Sequence, residues 1–365
     1  MPTISLCMIV KNEEAVLARC LDSVADLMDE MIIVDTGSTD RTKEIASRYT
    51  DRVYDFPWGN DFSAARNFSF SLASMDYIYA PDADEVLDAE NHYRFAQLKE
   101  VLLPEIEIVQ MKYRTVDHDT VLNVKNEYRP KLFKRMRSFT WEDPIHETVR
   151  TMPVVYDSDI EILHMPQSLH SKRDFSIFIE AFRRDGAFSD KVRSMYAREL
   201  LKNGDEKDFA DALPIFKILY AQAASDDMLK ECACVLARIY RTQGVRDEFF
   251  KLTLKDMVSN PCSEICYELG QYFAAAQDYE EASVWYYNAA YETESILDVH
   301  TGGDLALQGL IECYERLLET AEMAESTEIS ESAEMTEMGL MEQYREALEE
   351  YRKALSEWEM PEEGN

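Results

Sequence analysis

Three short apolar runs separated by helix-like stretches most restrict what this chain can become. Ile4-Ser5-Leu6-Cys7-Met8-Ile9-Val10, Met31-Ile32-Ile33-Val34-Asp35 and Tyr77-Ile78-Tyr79-Ala80 read as buried strands. Helical patterns lie between them, from Glu14 to about Val24, from Arg41 to Arg48 and from Phe62 to Ala73, and Arg52-Val53-Tyr54 is a further short strand. Strand alternating with helix at this interval predicts a mostly parallel sheet with helices on its faces. More strands are expected at Ile106 to Tyr113, at Tyr128 to Phe133 and near Ile160 to His164, so the first half reads as α/β.

From about Phe175 the strand signals stop and the rest reads as all-helical. Leu269-Gly270, Phe273, Ala282, Tyr286 and Ala289 fall at the small and aromatic positions of a tetratricopeptide repeat. A poorer copy runs through Leu236, Ala237, Tyr240, Phe249 and Pro261, and Tyr344, Ala347, Tyr351 and Ala354 suit the second helix of a last repeat. A worn tetratricopeptide-like array and a plain helical bundle both fit. The boundary is placed at 168/169, giving domains 1–168 and 169–365. The Glu-, Ser-, Thr- and Met-rich stretch at about 320–340 reads as a flexible acidic insertion.

The formal net charge of −33 comes from 71 acidic and 38 basic residues. A field of that sign repels nucleic acid and anionic lipid, which excludes both as general partners. No apolar run is long enough to cross a bilayer and no leader pattern precedes the first strand, so a cytoplasmic protein is expected. Seven cysteines without metal-type spacing fit a reduced compartment, and Cys232 and Cys234 read as small core residues.

The chemistry concentrates after the Tyr77 strand. Asp82 and Asp84 follow it one residue apart, at the C-terminal end where open α/β sheets bind ligands. Alternate residues of an extended segment point the same way, so both carboxylates can serve one hard cation and the phosphates it carries.

Four motifs in order, Ser5-Leu6-Cys7-Met8-Ile9-Val10-Lys11-Asn12-Glu13-Glu14, Ile33-Val34-Asp35-Thr36-Gly37-Ser38-Thr39-Asp40-Arg41-Thr42, Trp58-x-x-Asp61-Phe62-Ser63-x-Ala65-Arg66-Asn67 and Asp82-Ala83-Asp84-Glu85, resemble a family 2 glycosyltransferase. The branch resembled joins a short catalytic domain to tetratricopeptide repeats and includes enzymes acting on peptides. The resemblance implies a GT-A, Rossmann-like fold, a nucleotide-sugar donor (a UDP-sugar favoured), Mn²⁺ or Mg²⁺, and hexosyl transfer with inversion. It implies that Asp35 holds the base, that Arg66 lies beside the nucleotide, that Asp82 reaches ribose and metal, and that Asp84 ligates the metal. A late histidine, here His164, completes the metal shell. Lys11 ends the first strand and faces either nucleotide or solvent, and Asp35 has a second reading as a helix cap.

Inverting transfer needs a base for the acceptor's proton. Glu147, in a His146-Glu147 pair like that of the resembled branch, is the first candidate and Asp143 the rival. The expected acceptor is a peptide, protein or glycan, with the helical half supplying the acceptor groove or a homodimer interface. The alternative is a tetratricopeptide scaffold carrying a degenerate transferase domain. Nucleotidyl transfer would require a glycine-rich basic loop after the first strand, and Lys11-Asn12-Glu13-Glu14 is not one.

Overall fold

The computed structural model describes residues 1–115, 127–137, 141–145, 148–149, 153–165, 171–259, 261–325 and 331–360. The chain forms two compact units, Met1–Val192 and Arg193–Met360, the second of which begins three residues inside a helix.

The first unit runs β1 (Ile4–Val10), α1 (Leu17–Asp22), β2 (Glu30–Asp35), α2 (Thr42–Ala46), β3 (Val53–Asp55), α3 (Phe62–Ser71), β4 (Tyr77–Tyr79), β5 (Glu85–Val86), α4 (Ala89–Val101), β6 (Ile108–Thr115), β7 (Glu127–Lys134), β8 (Trp141–Glu142), β9 (Thr148–Val149), β10 (Val155–His164) and α5 (Ser171–Asp185). Eight strands form one sheet in the order β3-β2-β1-β4-β7-β6-β10-β5, and β8 pairs with β9 separately. Pairing is parallel from β3 to β4, where each return passes through a helix. Strand β7 runs antiparallel to both β4 and β6, so the sheet is mixed.

Every β1 residue except Ile9 is fully or nearly fully buried, because helices cover both faces. Ile4, Leu6 and Met8 join Leu17, Leu21 and Phe95 in one core, while Cys7 packs with Ile32, Val34, Phe70 and Trp141 on the other side. The alternation follows from the two-residue period of a strand. Buried Ser5 donates to Glu30, whose carboxylate also pairs with Arg52 and accepts from Ser74.

The α/β reading holds, with two local corrections. Helix α2 spans only the five residues Thr42–Ala46, shorter than the pattern expected from Arg41 to Arg48. Asp40 accepts from Thr42 N at 3.0 Å at the start of this helix and from Glu14 N at 3.1 Å, tying the turn to the loop after β1. The unit boundary also lies later than 168, because α5 belongs to the first unit. There Glu180 accepts from Asn60, and Arg184 lies 3.7 Å from Asp61.

The second unit is all helical. It contains α6 (Asp190–Asn203, shared with the first unit), α7 (Glu206–Ala221), α8 (Asp226–Thr242), α9 (Arg246–Ser259), α10 (Ser263–Ala275), α11 (Tyr279–Tyr287), α12 (Asp304–Glu325) and α13 (Glu331–Glu357). Tyr286 is buried at the Gly270 and Gly309 backbones, where an added Cβ would come within 2.7 Å of its ring. Its hydroxyl accepts from Gln271 Nε2 at 2.8 Å. The segment read as a flexible insertion is helical at both ends, as the last turns of α12 and the first of α13, while 326–330 lies outside the described residues. Ala, Glu and Met are strong helix formers, and an exposed helix needs no wide apolar face.

Candidate active site

Parallel pairing of β1, β2 and β4 gathers their C-terminal ends. Asp35 closes β2, opposite Val10 at the end of β1. Its Oδ2 accepts from Gly37 N at 3.1 Å and Ser38 N at 3.0 Å, which fixes the rotamer. Its Oδ1 is buried and has no hydrogen-bond partner among the described residues. A buried acceptor left open in this way is costly unless a ligand supplies the donor. Asp35 does not cap α2, whose N-cap Arg41 lies six residues on.

Asp82 receives cations from two elements. Arg66 Nη2 on α3 donates to its Oδ1 at 2.7 Å, and Lys131 Nζ on β7 lies 3.3 Å from its Oδ2. Helix α3 is started by Asp61, which accepts from Ala64 N and points the next turn inward. The Arg66 guanidinium lies 5.0 Å from the Trp141 ring centroid. Asn67 then clamps Trp141 from both sides, donating Nδ2 to its carbonyl at 2.9 Å and accepting its N–H at 2.7 Å. Burial opposes ionisation of Asp82, but Lys131 and Arg66 outweigh it and hold the carboxyl well below its usual range. Its side chain keeps a solvent-facing edge, 36% exposed.

Lys131 also donates to Glu85 Oε1 at 2.6 Å, and both side chains are almost fully buried. The other Glu85 oxygen accepts Asp82 N at 3.1 Å. Burial, with Asp82 adding to it and Lys131 opposing it, pushes Glu85 up to about 7.

Asp84 meets His164, Oδ2 to Nε2 at 3.1 Å. The antiparallel β10–β5 pair sets this contact by placing His164 opposite Glu85, and Met165 N donates to the Asp84 carbonyl. The Tyr113 ring lies 5.1 Å from the His164 ring and 3.6 Å from the Arg129 guanidinium. A carboxylate and an imidazole with donor atoms 3.1 Å apart suit a hard divalent cation, since neighbouring ligands each about 2.1 Å from one ion have that spacing. Asp82 fits direct ligation less well, because both its oxygens already face cations.

Lys11 is exposed, with Nζ 5.7 Å from the Trp58 ring centroid. Asp143 adopts φ 71° and accepts from Ser189 Oγ at 3.2 Å, with no described bond to Asp82 or Asp84. Glu147 and His146 lie outside the described residues. Sequence reasoning missed Lys131, Glu85 and Trp141 as parts of the site. The available signal was a charged residue interrupting the run Arg129-Pro130-Lys131-Leu132-Phe133 in a central strand.

Residues 5–161 match the model of Glycosyl transferase family 2. A TPR repeat-containing protein of Synechococcus elongatus is 37% identical over 158 residues, 41% of this chain and 36% of that protein. The glycosyltransferase SunS of Bacillus subtilis is 38% identical over 109 residues, 28% of this chain and 24% of the relative. The chain thus spans about a third or less of these two relatives. A glucosyl-3-phosphoglycerate synthase structure from Mycobacterium tuberculosis, complexed with Mn²⁺, UDP and phosphoglyceric acid, superposes with a TM-score of 0.39 at 17% identity, covering 52% of this chain and 80% of its own. Among the described residues, no helix is long and apolar enough to cross a membrane.

Proposed function

From the match of residues 5–161 to the Glycosyl transferase family 2 model, we propose that the chain is a metal-dependent inverting glycosyltransferase. It moves a hexosyl group from a UDP-sugar to a peptide, protein or glycan. The observation that carries this reading is the joint placement of Asp82, held by Arg66 and Lys131, and the Asp84–His164 pair.

In this reading the open Asp35 Oδ1 accepts a ring N–H of the base. Asp82, kept ionised by its two cations, accepts a ribose hydroxyl on its exposed edge. Arg66 and Lys131 fix that carboxylate so that it does not reorganise as the sugar leaves. Asp84 and His164 would hold the Mn²⁺ or Mg²⁺, whose charge would stabilise a leaving diphosphate. Lys11 lies at the end of β1 and adds positive charge on the nucleotide side. The acceptor's proton passes to Glu147 or Asp143, the two candidate bases.

The test is incubation with a panel of nucleotide sugars and Mn²⁺, reading nucleoside diphosphate release with and without peptide acceptors. Release with one donor supports the reading. If no donor is consumed or bound, the chain is a scaffold with an inert domain.

A further inference from the structure

Cys234 lies in the middle of α8, and Cys262 is the N-cap of α10, 28 residues later. Both are buried, with sulfurs 3.5 Å apart. Glu264, 2% exposed in the first turn of α10, brings a carboxylate oxygen to the same place, and the three ligand atoms lie within 4.8 Å of one another. The position of Cys262 at the positive end of the α10 dipole favours an anionic group there.

Glu264 supplies the independent sign of a missing partner. Its Oε1 accepts three backbone N–H groups, from Ile296 at 2.9 Å, Leu297 at 2.7 Å and Asp298 at 2.9 Å. Its Oε2 is buried with no hydrogen-bond partner among the described residues. A buried carboxylate oxygen with no donor is costly, so it calls for a cation or another donor.

We propose that Cys234, Cys262 and Glu264 form a structural site for a thiophilic divalent cation, zinc foremost, that ties α8 to α10. Two thiolates on one tetrahedral zinc, each about 2.3 Å away, have sulfurs about 3.8 Å apart, close to the spacing found here. Binding displaces the thiol protons and any proton on Glu264 to solvent. The two sulfur–zinc bonds and one oxygen–zinc bond form without any change of oxidation state. A backbone carbonyl or a water completes four-coordination. A Cys234–Cys262 disulfide would use the same sulfurs but leave Glu264 Oε2 as it is. A hard cation such as Mg²⁺ does not select thiolates, so the site differs in chemistry from the Asp84–His164 pair.

The test titrates Co²⁺ into the full-length reduced protein, following the near-ultraviolet thiolate-to-cobalt charge-transfer band, which carboxylate and imidazole ligands do not give. The expected result is a band saturating at one equivalent and displaced by Zn²⁺. It persists in Asp84→Ala and in Cys232→Ser, is lost in Cys262→Ser, and binds about tenfold or more weakly in Glu264→Gln. Absence of the band with all seven thiols reduced overturns the proposal. So does a band surviving Cys262→Ser, or a purified protein in which a Cys234–Cys262 disulfide is found. Should Cys262→Ser fail to fold, X-ray absorption of the zinc-loaded wild type decides. Two sulfur ligands support the site, and none overturns it.

Discussion

Lys131 reaches across from β7 to place its ammonium 2.6 Å from Glu85, while standing 3.3 Å from Asp82. A single buried cation thus serves two carboxylates, one each side of Asp84. Removing it leaves Glu85 without its partner. Lys131→Met should destabilise the first unit by about 3–5 kcal/mol, the cost of breaking a buried pair from one side. Adding Glu85→Gln should recover much of that loss. Urea unfolding of both variants measures the coupling, and strictly additive effects would show the two groups to be independent.

Glu85 also predicts a pH dependence. Its folded value of about 7 lies above the ordinary 4.5, so the folded state holds the proton more tightly than the unfolded chain. Stability from this group is therefore greatest below 4.5 and declines as pH rises to 7, by at most ~3 kcal/mol for a shift of that size. Asp82 titrates below this window and does not obscure it. Glu85→Gln carries no titrating proton there and should flatten the decline between pH 5 and 7. An unchanged slope in unfolding free energy would remove Glu85 as its source.

Asp84→Ala should reduce Mn²⁺-dependent donor turnover by roughly 100-fold or more, because the cation then loses a charged ligand. Titration calorimetry with Mn²⁺ and UDP should show the metal-dependent part of nucleotide binding lost while the metal-free part survives. Equal turnover in the variant would place the cation elsewhere.

Asp35→Ala should weaken UDP binding by about 10- to 100-fold, the loss of one hydrogen bond to a buried ionised acceptor. The dissociation constant for a ribose diphosphate lacking the base should barely move. Equal weakening of both ligands would mean that the substitution disturbs the turn and not the base contact.

Gly270→Val should destabilise the helical unit by about 2 kcal/mol or more, since even a Cβ would sit 2.7 Å from the Tyr286 ring. Introducing Tyr286→Leu in the same chain should relieve part of this. Thermal unfolding of the single and double variants separates that clash from an effect on helix propensity.

The α/β half was legible because buried strands leave uninterrupted apolar runs and helices leave a different period. The placement of Asp35 at the end of β2 and of Asp82 and Asp84 just after β4 was legible, because the strands themselves were. Asp84 and His164, 80 residues apart, are in contact, brought together by the β10–β5 pairing. Lys131 was missed because a charge inside a central strand marks an exception locally but does not say which groups it serves. Its partners lie on β5 and in the loop after β4, and only the antiparallel pairing of β7 brings them together. Cys234 and Cys262 were missed as a pair for a related reason, since helix packing and not spacing joins them. The helical ends of the stretch at about 320–340 were not legible, because a polar helix and a polar loop share a composition.

Arg66 and Asn67 are consecutive, yet one grips Asp82 and the other Trp141. The turn of α3 that orients the Asp82 carboxylate is therefore also the peg on which the β8 segment hangs. Any displacement of that segment, by an incoming acceptor or by a substitution within it, pulls on the same turn. Kinetic effects of changes on the two sides should accordingly be entangled, and a clean division into separate half-sites is ruled out by this shared anchor.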